Sequence, residues 1–447
     1  MSESEKHYKK MTETPVAKLI VTLGIPTTVS MLTNCVYNMV DTYFVGTLGE
    51  SQQAATGILF TLQAILQALA FMLGQGSGTM VSKFLAQRDE KTASEYVSTA
   101  FFTAFIGGLV LMAAGLVFLT PFMRLLGSTE TILPYAKQYG MWVLLSAPFW
   151  ISSFVLNNNL RYEGQSFYAM IGIMAGAILN IFGDYVLIRI YDMGVYGAGL
   201  STATSQFVSF CVLFYMHRKM AQGKVRISSI SKRVSVYATI GRVGFPALVR
   251  QGLSSISNGM LNNIAKAYGD AAIAAMSVVQ RFSMLVMCVG LGVGQGFQPV
   301  ASFNYQAKKY KRVKHGLLFT MKMGIVMVGV MAVFGLVFAE KIVYIFQKSE
   351  EVNRIGATAL RYACIGSMFL PLSIPVNMLY QSIRKAAVSS VLSMMRSGLM
   401  FMPVLLVGTY FMGLTGVQMA QPMADALTGL VSVPFVIHFM KKTPDDE

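Results

Sequence analysis

Twelve stretches of mostly apolar residues, each long enough to cross a bilayer core at about 20 residues per crossing, follow one another along the 447-residue chain. They lie near 19–46, 54–80, 95–120, 133–157, 168–190, 195–217, 239–265, 272–300, 315–339, 355–378, 386–410 and 414–440. Only 13% of the residues are charged, whereas a soluble domain averages roughly a quarter. That leaves too little polar surface to solvate a globule of this size. The expected fold is therefore an all-α integral membrane protein of twelve transmembrane helices, with the lipid bilayer as its first partner.

The formal net charge is +16, but the basic residues sit in short clusters between apolar stretches. No basic face interleaved with aromatics is present, so no nucleic-acid partner is expected. The clusters alternate by side instead. Lys6, Lys9, Lys10 and Lys18 precede the first span, Lys83, Arg88 and Lys91 follow the second, and Lys308, Lys309, Lys311, Arg312 and Lys314 follow the eighth. Short loops rich in Lys and Arg stay cytoplasmic. Both termini are thus expected in the cytoplasm, and the chain in the inner membrane. Met1 to Pro15 lacks the basic start, apolar core and small-residue cleavage site of a removable signal, so the first span is expected to remain. Cys35, Cys211, Cys288 and Cys364 are scattered within apolar spans, and the four histidines lie at the tail and span ends. Neither set has disulfide or metal-site spacing, and no cofactor is implied.

The chain repeats itself at an offset near 220. Gly24-Ile25-Pro26 matches Gly244-Phe245-Pro246, Gly74-Gln75-Gly76 matches Gly294-Gln295-Gly296, and Asn157 matches Asn377. Gly194 and Gly197 match Gly413 and Gly416 after a slip of one residue. Each copy holds six spans, an even number, so both insert in the same sense. That predicts two six-helix bundles related by a pseudo-twofold axis along the membrane normal, an arrangement many secondary transporters use. The expected organisation is an N-lobe over 1–218, a basic, Ser-rich cytoplasmic linker over 219–238 and a C-lobe over 239–447.

Three of the 20 acidic residues lie inside spans: Asp41, Asp184 and Asp425. An ionisable group in the bilayer is costly unless paired, hydrated or neutralised, and marks function by default. At about 1.5 Å rise per residue, Asp41, Asp184 and Thr202 fall at a similar level in the outer half of the membrane. Ser30, Asn34, Tyr37, Asn38 and Asp41 form a polar stripe on the first span. Asn180 stands one turn before Asp184, and Gln206 one turn after Thr202, each pair on one helix face. Two carboxylates in low dielectric repel, so a shared pocket would hold a proton or a small hard cation such as Na⁺ among these oxygens. The repeat acts as an internal control. The counterparts of Asp41, Asn180, Asp184 and Thr202 are Leu261, Leu399, Pro403 and Gln421, so symmetric scaffolding does not require the acids. Asp425 and Arg396 both fall near mid-depth in the last two spans, which predicts a buried ion pair in the second lobe.

The two six-span copies, the Gly-Ile-Pro of the first span, the run Val40-Asp41-Thr42-Tyr43-Phe44-Val45-Gly46, and Leu179-Asn180-Ile181 with Asp184 together resemble the multidrug and toxic compound extrusion (MATE) family. The resemblance implies an inner-membrane antiporter that exports small organic cations, drugs and dyes in exchange for Na⁺ or H⁺. It also implies that the positions of Asp41, Asn180, Asp184 and Thr202 bind the coupling ion, helped by the Ala198 carbonyl. Tyr139 and Asn157 match polar residues lining the same lobe, and Pro26 matches a proline at which the first span bends. A family branch with acids in the seventh span is not matched, since Pro246 to Gln251 contains none. A monomer is expected. A lipid-linked precursor flippase of similar architecture would favour a cavity rich in Arg and Lys, and the intramembrane basic residues Arg250, Arg281 and Arg396 are few. An intramembrane enzyme would need a motif such as H-E-x-x-H or G-x-S-x-G, and neither occurs. A channel fits a one-lobe carboxylate cage less well than a carrier does.

Overall fold

The computed structural model describes residues 3–346 and 348–444. Those residues form helices and their connections, with no strand among them. A short leading helix, α1 (Glu3–Glu13), is followed by α2 (Val16–Gly46), α3 (Glu50–Ala86), α4 (Glu90–Val117), α5 (Leu119–Leu125), α6 (Leu133–Tyr162), α7 (Ser166–Asp184) and α8 (Gly194–Met220). The second copy comprises α9 (Val234–Ala265), α10 (Asp270–Gln306), α11 (Tyr310–Val337), α12 (Ala339–Phe346), α13 (Glu350–Ser367), α14 (Leu370–Ser382), α15 (Ala386–Met394), α16 (Phe401–Met412) and α17 (Leu414–Lys442).

Among the described residues, ten helical stretches are long and apolar enough to cross a membrane, and α13 with α14 forms one more span bent by 49°. The twelfth is α9. At 32 residues it reaches about 48 Å at 1.5 Å per residue. Arg242, Arg250, Gln251, Asn258, Asn262 and Asn263 lower its apolarity but not its reach. The molecule is an all-helical, multi-span membrane protein with two six-helix bundles.

The repeat read from the sequence is built into the backbone. Helices α10 and α11 begin and end 220 residues after α3 and α4 at all four termini. Arg88 and Lys308, just past the ends of α3 and α10, adopt φ of 62° and 59°, the left-handed exit common at helix C-termini. Gly194 and Gly413 both sit at 57°. Asn157 Nδ2 donates to Ala169 O at 2.9 Å, and Asn377 Nδ2 makes the same bond to Ser389 O at 2.8 Å, each bridging to a residue twelve positions later. One difference between the copies is a break in the fourth span. Helix α6 runs unbroken over 30 residues, whereas its counterpart stops between Ser367 and Leu370. Pro371 and Pro375 stand there in place of Ile151 and Val155. Each removes a helical N–H and crowds the carbonyl four residues earlier.

The chain divides into two compact units. One joins residues up to 9 with 32–248, and the other joins 10–31 with residues from 249 onward. One division falls inside α1, and the other two fall inside α2 and α9, soon after Pro26 and Pro246. Glycine permits close packing within each unit. A Cβ on Gly76 of α3 would collide with the Ile240 carbonyl of α9, and one on Gly296 of α10 would collide with the backbone of Gly24 in α2.

The segment between α8 and α9 is held to the first unit. Gln222 N and Gly223 N donate to the Glu163 carboxyl at 2.5 and 3.2 Å. Lys224 N donates to Ser94 Oγ, Arg226 N to Ser98 Oγ and Ser231 N to Thr99 Oγ1. Arg233 pairs with Glu95 at 2.7 Å. His7 of α1 lies 2.7 Å from the Glu163 carbonyl. Glu163 caps the end of α6 outside the spans and is buried, and that burial pushes its carboxyl up to about 8, against the pull of the Gln222 and Gly223 amides and of Lys224.

Candidate functional site

Asp41, Asn180, Asp184, Thr202 and Tyr139 gather inside the first unit. Asp41 lies on the half of α2 that belongs to this unit, Tyr139 on α6, Asn180 and Asp184 on α7, and Thr202 on α8. All five are buried, Asp184 completely so. Tyr139 Oη donates to Asp41 Oδ2 at 2.6 Å and lies 3.3 Å from Thr202 Oγ1. Asn180 Nδ2 reaches Thr202 Oγ1 at 3.3 Å. The Asp41 and Asp184 carboxyls are near enough to share a proton between them.

Helical period explains how separate stretches of sequence reach one place. Asn180 and Asp184 are one turn apart and share a face of α7, and Thr202 faces them from the start of α8. Gly183 lets α7 approach α8, since a Cβ there would collide with Ser201 Oγ. Directly after Asp184 the chain runs as a π-helix, Tyr185–Ile190. Such widened turns occur frequently at functional sites.

The hydrogen bonding of the cluster is lopsided. Asp41 Oδ1, both oxygens of Asp184 and Asn180 Oδ1 are buried without a hydrogen-bond donor. Four buried acceptors without a donor are unfavourable. A proton held between the carboxyls, or a small cation among the oxygens, removes that imbalance. Among the described residues no group of three or more His, Cys, Asp or Glu side chains forms, so the oxygen set consists of two carboxylates and neutral groups. Oxygen-only donors suit hard cations.

Other candidates are placed around this centre. Tyr37, one turn before Asp41, has its hydroxyl beside the Gln206 and Asn38 side chains. Asn38 Nδ2 donates to Asn34 O at 2.8 Å, so the stripe on α2 is partly tied to its own backbone. Ala198 is buried one turn before Thr202. Asn157 is not brought to the cluster. It lies 18 positions beyond Tyr139 on α6, about 27 Å along the helix at 1.5 Å per residue, and braces α6 to α7. Helix α2 is continuous through Pro26. In the second unit Arg396 Nε donates to Asp425 Oδ1 at 2.8 Å, and Gln421 Nε2 donates to the same oxygen at 2.8 Å.

Ser201 was not singled out by the sequence. It donates to Asn180 O at 3.0 Å and lies beside Asp184. It neighbours Thr202 in sequence, off the one-turn spacing that drew attention to Thr202 and Gln206, so no periodic signal marked it.

A family model described as MatE matches this chain twice, over residues 26–186 and 246–407. The two matches begin 220 residues apart and together cover most of the chain. The chain belongs to the MatE family. Among curated relatives, the multidrug export protein MepA of Staphylococcus saprophyticus is 26% identical over 445 residues, spanning 98% of this chain and 96% of that protein. MepA of Staphylococcus aureus strain MSSA476 is 25% identical over 441 residues, spanning 98% and 96%. Two solved structures share the fold. One is a crystal structure of MATE in complex with MaL6, with a TM-score of 0.91, 23% identity, and coverage of 99% of this chain and 100% of that one. The other is an outward-facing multidrug resistance MATE family transporter of the MOP superfamily, with a TM-score of 0.92, 22% identity, and the same coverage. As a MatE family member, the chain is a membrane transporter and not an enzyme.

Proposed function

We propose that this MatE transporter is a secondary antiporter that exports small cationic, amphiphilic drugs and dyes in exchange for Na⁺ or H⁺. The observation that carries this reading is the set of four buried acceptor oxygens of Asp41, Asp184 and Asn180 that meet no donor. Such a site is poised between a neutralised and a charged form. The relatives named as multidrug export proteins supply the substrate class.

In this mechanism the N-lobe (1–218) and C-lobe (239–447), joined by the linker over 219–238, alternate access to the two sides of the membrane. When Asp41 and Asp184 are charged they favour an organic cation. When Na⁺ or a proton enters from outside, the charge that favoured the cation is lost and the drug leaves. The Tyr139 hydroxyl holds Asp41 in place, and Asn180 with Thr202 completes the oxygen set. Coupling is the difference in affinity between the two charge states, and nothing further is needed. The Lys and Arg clusters of the short loops support an inner-membrane location with both termini cytoplasmic.

Efflux of a fluorescent organic cation from proteoliposomes, with a Na⁺ or a pH gradient imposed separately, tests the proposal. One gradient should drive efflux, and Asp41→Asn and Asp184→Asn should each abolish it while leaving reconstitution unchanged. Gradient-driven efflux by both variants at the wild-type rate rejects the coupling site.

A further inference from the structure

The second unit contains a cavity with the opposite charge. All of its lining residues belong to that unit, and the only charged ones among them are Arg250 of α9 and Arg396 between α15 and α16. Leu291, Ile374 and Met378 provide apolar wall, and Ser393 and Asn377 provide polar wall. The cavity is ≈ 30 Å³. Since roughly 10–15 Å³ of such space holds one water, it accommodates about two waters or the two oxygens of one carboxylate, not a whole drug.

The charges do not cancel. Asp425 is the one acid inside the spans of the second copy. It is tied to Arg396 Nε at 2.8 Å and to Gln421 Nε2 at 2.8 Å. That pair fixes the guanidinium and leaves the Arg396 Nη groups without a hydrogen bond to the described residues. Ser393 Oγ accepts from Asn377 Nδ2 at 2.8 Å, so the Ser393 proton remains available for donation. Two guanidinium groups against one carboxylate leave a positive excess on a partly apolar wall.

Two further observations set the site apart from scaffolding. Arg396 lies in the π-helical turn Met395–Leu399, a feature frequent at functional sites. The other π-turn among the described residues follows Asp184, and the two do not fall at corresponding positions of the repeat. The counterparts of Arg250 and Arg396 in the first copy are Ser30 and Ala177. At Asp41 and Asp184 the first copy therefore carries two buried acids, at Arg250 and Arg396 the second carries two half-buried bases, and the shared fold requires a charge at none of these positions.

We propose that the second bundle contains a binding site for the carboxylate of an apolar organic acid, with Arg250 and Arg396 as its charged ligands and the tail extending out of the cavity. Planar guanidinium groups bind a carboxylate through paired, charge-assisted hydrogen bonds. The site does not depend on the cation coupling described above.

Binding of 11-(dansylamino)undecanoic acid and of its primary amide to the purified full-length protein, read by fluorescence, tests this. The acid should bind at least tenfold more tightly than the amide, and undecanoate should displace it. Arg250→Gln should weaken acid binding at least tenfold without changing amide binding. Because Arg396→Gln alone would leave Asp425 buried and unpaired, the paired variant R396Q/D425N is used for the second arginine, with the same expectation. Wild-type acid affinity in both variants, or equal affinity for acid and amide, overturns the proposal. Displacement by dioleoylphosphatidylglycerol but not by undecanoate would assign the arginines to a lipid phosphate and overturn the carboxylate assignment.

Discussion

At the scale of single residues, the first-unit cluster depends on one hydroxyl. Tyr139 is the donor that meets Asp41, at 2.6 Å, and it also lies 3.3 Å from Thr202. Tyr139→Phe keeps the ring and removes the proton, leaving all four carboxyl oxygens of Asp41 and Asp184 without a donor. A buried acceptor stripped of its partner costs about 1–3 kcal/mol, or roughly one to two powers of ten in an equilibrium constant. The Na⁺ or proton concentration for half-maximal efflux should therefore shift at least tenfold in Tyr139→Phe, with the amount of folded protein unchanged. An unshifted activation curve would mean the hydroxyl plays no part in ion coupling. Most of this cluster was legible beforehand. Asp41, Asn180, Asp184 and Thr202 are polar residues at one-turn spacing and matching depth in apolar spans, and period and depth are properties of sequence. Tyr139 entered through the family resemblance alone, because a tyrosine near a span end is unremarkable by itself. Ser201 carried no signal.

At the scale of elements, the helices are set by apolar length, and their closest approaches by glycine. Gly76 and Gly296 are 220 residues apart and occupy the same place in α3 and α10, each meeting the backbone of a proline-containing helix within its own unit. Alanine at either position has to push two backbones apart. Overpacking of this kind typically costs about 1–3 kcal/mol or more. Gly76→Ala and Gly296→Ala should each lower the Tm of the purified protein by several degrees, whereas Gly57→Ala, which meets nothing within 4 Å, should leave it unchanged. Equal melting of all three would show that the close approaches do not limit packing. The matched pair Gly74-Gln75-Gly76 and Gly294-Gln295-Gly296 revealed the repeat in the sequence. The break between α13 and α14 was not foreseen, although Pro371 and Pro375 were visible. Proline also lies within α2, α6, α9 and α17, and there the helix continues. Which proline breaks a helix depends on what its neighbours can re-satisfy.

At the scale of the whole molecule, the connection between the copies is fastened to the first unit through Glu163. Its folded-state value of about 8 lies above the usual carboxylate value of about 4.3. The stability of this fastening is therefore fully present below the unfolded value and is lost as pH rises through the folded one. Protection of the Gln222 and Gly223 amides from hydrogen exchange, corrected for intrinsic rates, should fall as pH rises from about 4 to about 8 and level off above that. Glu163→Gln, which keeps an acceptor and cannot ionise, should flatten that dependence. PH-independent protection in the wild type would show that the carboxyl does not change charge there. The sequence marked this segment as a basic linker and gave no sign that a buried acid holds it.

The sequence by itself determined that the chain lives in lipid, crosses it twelve times, repeats after six crossings and carries acids in one copy that the other lacks. These follow from composition, length and period, which need no knowledge of what touches what. Only the tertiary structure decided that Tyr139 and Ser201 join the acids, that Asn157 braces helices away from them, and that Arg250 and Arg396 share a cavity. Those outcomes depend on which faces of distant helices are pressed together, and a helix presents every residue type on some face until its neighbours are fixed.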